Sequence, residues 1–289
     1  MTAIIFGAGG QDGFYLSRLL EQEHVKIIGI SRQQGFINVN IGDYKEVQEV
    51  INDTKPEYIF HLAANSTTRH DAMFENHETI STGTLNILEA VKNYSPVSKV
   101  FISGSGLQFK NDSNPIKETD PFEARDPYCV SRIQSVYAAR YFRTLGLKIY
   151  VGYFFNHDSP RRTERHMTKK ISEAAKRIAG GSTEKIEIGD IQVIKEYAYA
   201  SDVVRGIWTL INQEEIFEAN VSSGKGYSIK DWLHECFNCI GKDWKDYVLT
   251  KGGFVSEYKM LVSNPSVMFS LGWRPEVSFG ELAKIMMNS

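Results

Sequence analysis

The sequence predicts an α/β fold, a doubly wound parallel sheet carrying a smaller C-terminal lobe. Three observations point there. The chain opens MTAIIFGAGGQDGFYL, an apolar run broken by a glycine turn that leads into an amphipathic stretch. Short apolar, β-rich runs then alternate with helical stripes, the pattern of a sheet covered on both faces. The rest of the 289 residues is less regular, as expected of an appended lobe. Alternation of this kind favours parallel strands joined by right-handed crossovers.

Ala3, Ile4, Ile5 and Phe6 form the first strand. Gly7 takes the sharp turn out of it and Gly10 lets backbone approach a pyrophosphate. Gly13 lets the next helix, with Leu16, Leu19 and Leu20 on one face, pack close to the sheet. The N-terminus of that helix offers free amides and a positive dipole end to phosphates, so this unit is a candidate dinucleotide site. Residues 25–30 read as the second strand, 44–51 as a short helix and 58–62 as the third strand. Thr84, Leu85, Ile87, Leu88 and Val91 form a helical stripe. A strand at 100–103, a long helix at 128–145 and a strand at 149–155 follow. Beyond them, 156–165 is polar and basic, and Gly180-Gly181 ends a helix at 168–179. Further helices are expected at 202–212, 229–240 and 278–287, with a loop-rich stretch at 241–253. The expected division is a dinucleotide-binding domain over 1–155 and a mainly substrate-binding lobe over 156–289, with segments at about 186–212 returning to the first domain.

Composition narrows the function classes. A net charge of −2 gives no reason to expect a nucleic-acid or membrane-surface partner. No apolar run approaches the length that spans a bilayer. The N-terminus enters the first strand directly, without room for a targeting peptide. Three cysteines suit a reducing cytoplasm better than a disulfide scaffold. Cys236 and Cys239 form a C-x-x-C, but Cys236 lies on the apolar stripe Ile229, Trp232, Leu233, Cys236, Ile240. No second cysteine pair or histidine cluster accompanies them, so a core position is expected and no metal.

An acidic residue about twenty positions after the glycine turn would hold the ribose hydroxyls of NAD. Here the second strand ends Gly29-Ile30-Ser31-Arg32, with no acid. Arg32 can pair with a 2′-phosphate and Ser31 can donate to it, which favours NADP, with NAD possible. Asp43 is the residue expected to reach the adenine.

Tyr128 and Arg132 stand four residues apart at the start of the long helix, on one face and one turn apart. Upstream, Phe101-Ile102-Ser103-Gly104-Ser105 ends a strand whose hydroxyl faces the same cleft. Such a tyrosine, cation and serine can move a proton on or off a sugar hydroxyl while a nicotinamide carries the hydride.

With these residues in view, the chain resembles the extended short-chain dehydrogenases/reductases with a Rossmann-type fold. It is most similar to the GDP-mannose 4,6-dehydratases among the nucleotide-sugar epimerases and dehydratases. The likeness rests on Gly7-Ala8-Gly9-Gly10-Gln11-Asp12-Gly13 with Tyr15-Leu16, on His61-Leu62-Ala63-Ala64, and on Phe155-Asn156-His157-Asp158-Ser159-Pro160-Arg161-Arg162. Thr168-Lys169-Lys170-Ile171 and Leu271-Gly272-Trp273-Arg274-Pro275 extend it over nearly the whole chain. The resemblance implies Tyr128 as the proton-transferring group at the sugar 4-hydroxyl and Ser105 as a hydrogen-bond partner of the same oxygen. It implies cofactor contacts from Gln11, Asp12, Leu62, Ala63, Ala64, Tyr128, Phe155 and Arg132. Asn156, Arg161, Arg162, Lys170 and Lys195 become substrate-binding candidates, because guanidinium forks suit phosphate oxygens. A GDP-linked sugar and a homodimer or homotetramer are implied as well.

Three departures matter. The family's Tyr-x-x-x-Lys reads Tyr128-x-x-x-Arg132, which keeps the charge but changes its shape. The dehydratases' glutamate two residues after the serine or threonine reads Leu107, and neither Leu107 nor the neighbouring Gln108 can do a carboxylate's proton transfer. A phosphate-binding arginine expected in the C-terminal lobe reads Phe254 within Phe254-Val255-Ser256-Glu257. Hydride transfer at C4 survives these losses, whereas elimination across C5 and C6 does not follow. The expected activity is reduction of a 4-keto sugar nucleotide. The alternatives are a dehydratase or epimerase using another acid/base, such as His157 or Glu164, and a non-catalytic cofactor-binding protein.

Overall fold

Alternation within the first strand builds both faces of the main core. In the computed structural model, which describes residues 1–254 and 256–289, β1 (Thr2–Phe6) points Ala3 and Ile5 to one side and Ile4 and Phe6 to the other. All four are buried against helices. The chain continues through α1 (Gln11–Gln22), β2 (Lys26–Ile30), α2 (Tyr44–Thr54) and β3 (Tyr58–His61). Then come a short α3 (Met73–Asn76), a π turn at His77–Thr82, α4 (Gly83–Tyr94), β4 (Lys99–Ser105), α5 (Pro127–Thr144) and β5 (Lys148–Phe154).

Later elements are β6 (His157–Asp158), α6 (Met167–Ala179), β7 (Ile186–Ile188), β8 (Ile194–Glu196), β9 (Ala198–Tyr199), α7 (Ala200–Ile211) and β10 (Glu218–Val221). β11 (Gly226–Ser228), α8 (Ile229–Asn238), β12 (Val248–Thr250), β13 (Met260–Leu261), α9 (Ser266–Ser270) and α10 (Phe279–Met287) complete the chain. The six-stranded sheet has the order β10-β5-β4-β3-β1-β2, parallel throughout. Strand order reverses between β1 and β3, so the crevice beyond their carboxyl ends is the switch point where such sheets take ligands. α1 and α7 cover one face with Leu16, Leu20, Val203 and Ile207. α2, α4 and α5 cover the other with Val47, Ile51, Ile87, Val91 and Val136.

The smaller lobe has its own core, in which Ile171 and Ile178 of α6 meet Trp232 and Phe237 of α8 and Leu282 and Met286 of α10. Residues 186–196 lie here: β7 pairs with β12, and β8 with β11 and β13. The segment returning to the main sheet is therefore α7 through β10, later in the chain than the expected 186–212. The stretch at 241–253 contains a 3-10 turn at Trp244–Asp246 and β12. Cys236 is a core residue of α8 and Cys239 is exposed, both free. Among the described residues no metal-binding cluster occurs, and no helix is long and apolar enough to cross a membrane.

Candidate active site

Asp126 starts α5 by accepting a hydrogen bond from the Cys129 amide at 2.9 Å, with Pro127 in the first turn. That fixes Tyr128 and Arg132 one turn apart, both at least nine-tenths buried (8% and 4% exposed). The Arg132 guanidinium carbon lies 5.0 Å from the centre of the Tyr128 ring. Its Nη1 donates to Ser103 Oγ at 2.8 Å and to the Ser103 carbonyl. Ser103 Oγ in turn donates to the His61 carbonyl at 3.0 Å. Burial and the Arg132 charge push the His61 imidazole down to about 3, so it stands neutral beside the cation. Arg132 has no carboxylate partner and its Nε no hydrogen-bond partner among the described residues.

These groups border a cavity of about 290 Å³ beyond the carboxyl ends of β1, β3, β4 and β5. Ser105 reaches it from the end of β4, its Oγ accepting from the Leu107 amide at 3.2 Å. Gln108 Oε1 accepts from the Ser105 amide at 2.9 Å, so that oxygen is committed to backbone. Leu107 itself borders the cavity.

The glycine turn fits a dinucleotide pyrophosphate. Gly7 has a φ of +94°, and a Cβ there would lie 2.7 Å from the Ala63 amide nitrogen. A Cβ on Gly13 would lie 2.4 Å from the Gly7 carbonyl oxygen. Gly10 borders the cavity and caps α1 without a side-chain bond, leaving the first-turn amides available to an anion. An acid in that turn, Asp12, would repel a phosphate, but His157 faces it. Nε2 of His157 lies 2.9 Å from Asp12 Oδ1, and Nδ1 lies 2.8 Å from the Phe155 carbonyl. Both neighbours can only accept, so both ring nitrogens donate and the imidazole is cationic. Burial works against this charge, yet Asp12 raises the His157 pKa overall. Burial likewise works against the Asp12 carboxylate, and His157 with Arg162 lowers its pKa despite that. Gln11 Oε1 accepts from Ser159 Oγ at 2.7 Å, a second tie between the turn and the segment after β5.

Other expected site residues divide. Leu62, Ala64, Phe155, Asn156 and Arg162 border the cavity, and Ala63 packs its backbone against Gly7. Ser31 Oγ accepts from the Gln33 amide at 3.2 Å, and Arg32 is exposed with Nη2 3.5 Å from Glu75 Oε1. Asp43 caps a helix: its carboxylate accepts from the Lys45 amide at 2.8 Å, starting α2. The Arg161 guanidinium lies 4.0 Å from the Phe14 ring centre, and Arg161 is not among the described residues of the wall. Lys170 donates to the Glu187 carbonyl at 2.9 Å, and Lys195 lies 5.4 Å from the Tyr197 ring centre. Neither is among the described residues of the wall. Glu164 is exposed, pairs with Arg177 at 3.2 Å and is not among the described residues of the wall. Phe254 is exposed, and Val255 lies outside the described residues.

Ser103, Arg165, Tyr258 and Leu261 also form the wall and were not anticipated. Burial pushes the Tyr258 phenol up to about 12, keeping it protonated. Ser103 sits within the strand-end phrase that singled out Ser105, so its signal was present. Tyr258 and Leu261 arrive from the C-terminal lobe, and nothing local marks them.

Three comparisons place this geometry. The sequence profile of the family described as GDP-mannose 4,6 dehydratase matches residues 4–286. GDP-mannose 4,6 dehydratase 1 of Arabidopsis thaliana is 29% identical over 321 residues, covering 99% of this chain and 88% of the relative. UDP-glucose 4-epimerase of Thermus thermophilus, solved with NAD, superposes with a TM-score of 0.85 at 22% identity, covering 100% of this chain and 98% of that one. RMD of Pseudomonas aeruginosa, solved with NADPH, gives 0.87 at 18% identity, covering 99% and 96%.

Proposed function

The chain belongs to the GDP-mannose 4,6-dehydratase family, and from that premise we propose that it reduces the 4-keto group of a GDP-linked sugar with NADPH. It is an enzyme of the extended short-chain dehydrogenase/reductase type, its substrate is a nucleotide sugar, and its cofactor is a nicotinamide dinucleotide. The choice of reduction over dehydration is carried by Leu107. Elimination needs a group that takes the C5 proton and protonates the departing C6 oxygen, and the aliphatic side chain at position 107 can do neither. His157 is no substitute, because both its ring nitrogens are engaged.

Gly7, Gly10, Gly13 and the amides of the first turn of α1 would hold the pyrophosphate, and Ser31 and Arg32 the 2′-phosphate. A bound nicotinamide supplies the hydride that adds to C4. Tyr128 gives its phenolic proton to the carbonyl oxygen as that oxygen becomes a hydroxyl. Arg132 stabilises the negative charge left on the phenol, and water returns the proton afterwards. Ser105 donates to the same substrate oxygen and holds it in line. Arg162 and Arg165, both on the cavity wall, are the cations we assign to substrate phosphate. The assembly we propose is a homodimer or homotetramer, with exposed Val130, Tyr137 and Tyr141 of α5 at its contact.

The test offers the purified protein GDP-mannose alone and, separately, a GDP-linked 4-keto-6-deoxy sugar with NADPH. NADPH loss only with the keto sugar is the expected outcome. Water loss from GDP-mannose would refute reduction as the activity, and tight cofactor retention without turnover of either sugar would mark a non-catalytic binding protein.

A further inference from the structure

Glu75 lies outside every motif that points to the cofactor, yet it faces the cation expected to choose between cofactors. It sits in α3, half exposed, between the segments that follow β2 and β3, the strands on either side of β1. One carboxylate oxygen accepts from Asn65 Nδ2 at 2.8 Å, just beyond the Leu62-Ala63-Ala64 end of β3. The other lies 3.5 Å from Arg32 Nη2 at the end of β2. The carboxylate is thus anchored on one side and aimed at Arg32 on the other.

We propose that Glu75 moderates the preference for NADPH by opposing the adenosine 2′-phosphate. The inference rests on the reading of Ser31 and Arg32 as the turn that meets the ribose 2′ position. A phosphomonoester carries nearly two negative charges at neutral pH. To reach Arg32 it must share that guanidinium with Glu75 or displace it, and it then lies within a few ångströms of a like charge. A ribose without the phosphate leaves the Arg32–Glu75 pair in place and presents hydroxyls that a carboxylate can accept. Glu75 therefore costs NADPH affinity and leaves NADH affinity nearly untouched. The Asn65 anchor makes the effect specific, because the carboxylate cannot swing away without losing a hydrogen bond.

The experiment measures dissociation constants of NADPH and NADH for the intact protein and for Glu75→Gln. The amide keeps the Asn65 contact through its oxygen and removes the charge, and the position is on the surface, so folding is preserved. Glu75→Gln is expected to tighten NADPH roughly two- to fivefold, the range of exposed charge pairs, with NADH changed by less than about twofold. The NADPH gain is expected to shrink as salt is raised. A parallel change in both cofactors, or in neither, would overturn the role of Glu75 while leaving the dinucleotide site intact. Binding of neither cofactor by the unaltered protein would remove the site itself, and the inference with it.

Discussion

Tyr128, Arg132, Ser105 and Leu107 were legible because their chemistry is tied to spacing along the chain. Four residues on a helix put a phenol and a cation on one face, and two residues beyond a strand-end serine set which side chain meets the same cavity. Asp43 carries a second, local signal. Asp43 followed by Glu46 is a helix-start signature, and the carboxylate caps α2. For Arg161 and Lys170 the sequence is less informative, because a basic run says nothing about which members point inward. Two expectations follow at this scale. Tyr128→Phe should lower turnover by about 10²- to 10⁴-fold, the range of general acid catalysis, with the NADPH dissociation constant unchanged in a direct titration. Leu107→Glu should give detectable release of water from GDP-mannose, read by the appearance of a 4-keto-6-deoxy product, with a lower melting temperature because a half-buried leucine is replaced by a carboxyl that must be desolvated.

The strands and helices of the first half could be read because each is long or strongly periodic. Their limits shifted by only a few residues, as at α5, which starts at Pro127 and ends at Thr144. β10 could not be read. Its four residues, Glu-Ala-Asn-Val, are short and half polar, and they become a strand only by pairing with β5 while Glu218 accepts from Arg140 and Arg143. The tie between α1 and the segment after β5 was also invisible, because Asp12 and His157 are 145 positions apart. It carries a pH signature. His157 has a raised folded pKa, so its contribution to stability is fully present below its unfolded value of about 6.5 and is lost as pH rises through the folded value. Asp12 is lowered, so its contribution is present above about 3.9 and is lost only as pH falls through the folded value. The pair therefore supports the fold between these limits. Melting temperature followed against pH should show an alkaline decline above neutrality in the unaltered protein. Asp12→Asn should flatten that limb and lower stability near neutrality by about 3 kcal/mol, as breaking a buried pair does.

At the scale of the whole molecule, the two-sided sheet and the appended lobe were evident from alternation, but the path of the chain between them was not. α7 and β10 return to the main sheet while β7 and β8 stay with the lobe, a choice fixed by strand pairing and not by composition. The lobes meet at the cavity, where Tyr258 and Leu261 face Leu107 and Tyr128. Glu196 braces the lobe beside it, accepting from the Ser223, Gly224 and Ser263 amides at 2.6 to 2.9 Å. A ligand filling the crevice binds only the folded arrangement, so NADPH at about a hundred times its dissociation constant should add ~2.7 kcal/mol to unfolding, measurable as a shifted denaturant midpoint. The decisive measurement follows NADPH absorbance while the protein is offered a GDP-linked 4-keto-6-deoxy sugar. The account predicts one NADPH oxidised for each keto group reduced, and no such loss with Tyr128→Phe. Conversion of GDP-mannose to the 4-keto-6-deoxy sugar by the unaltered protein, with no net change in NADPH, would contradict it.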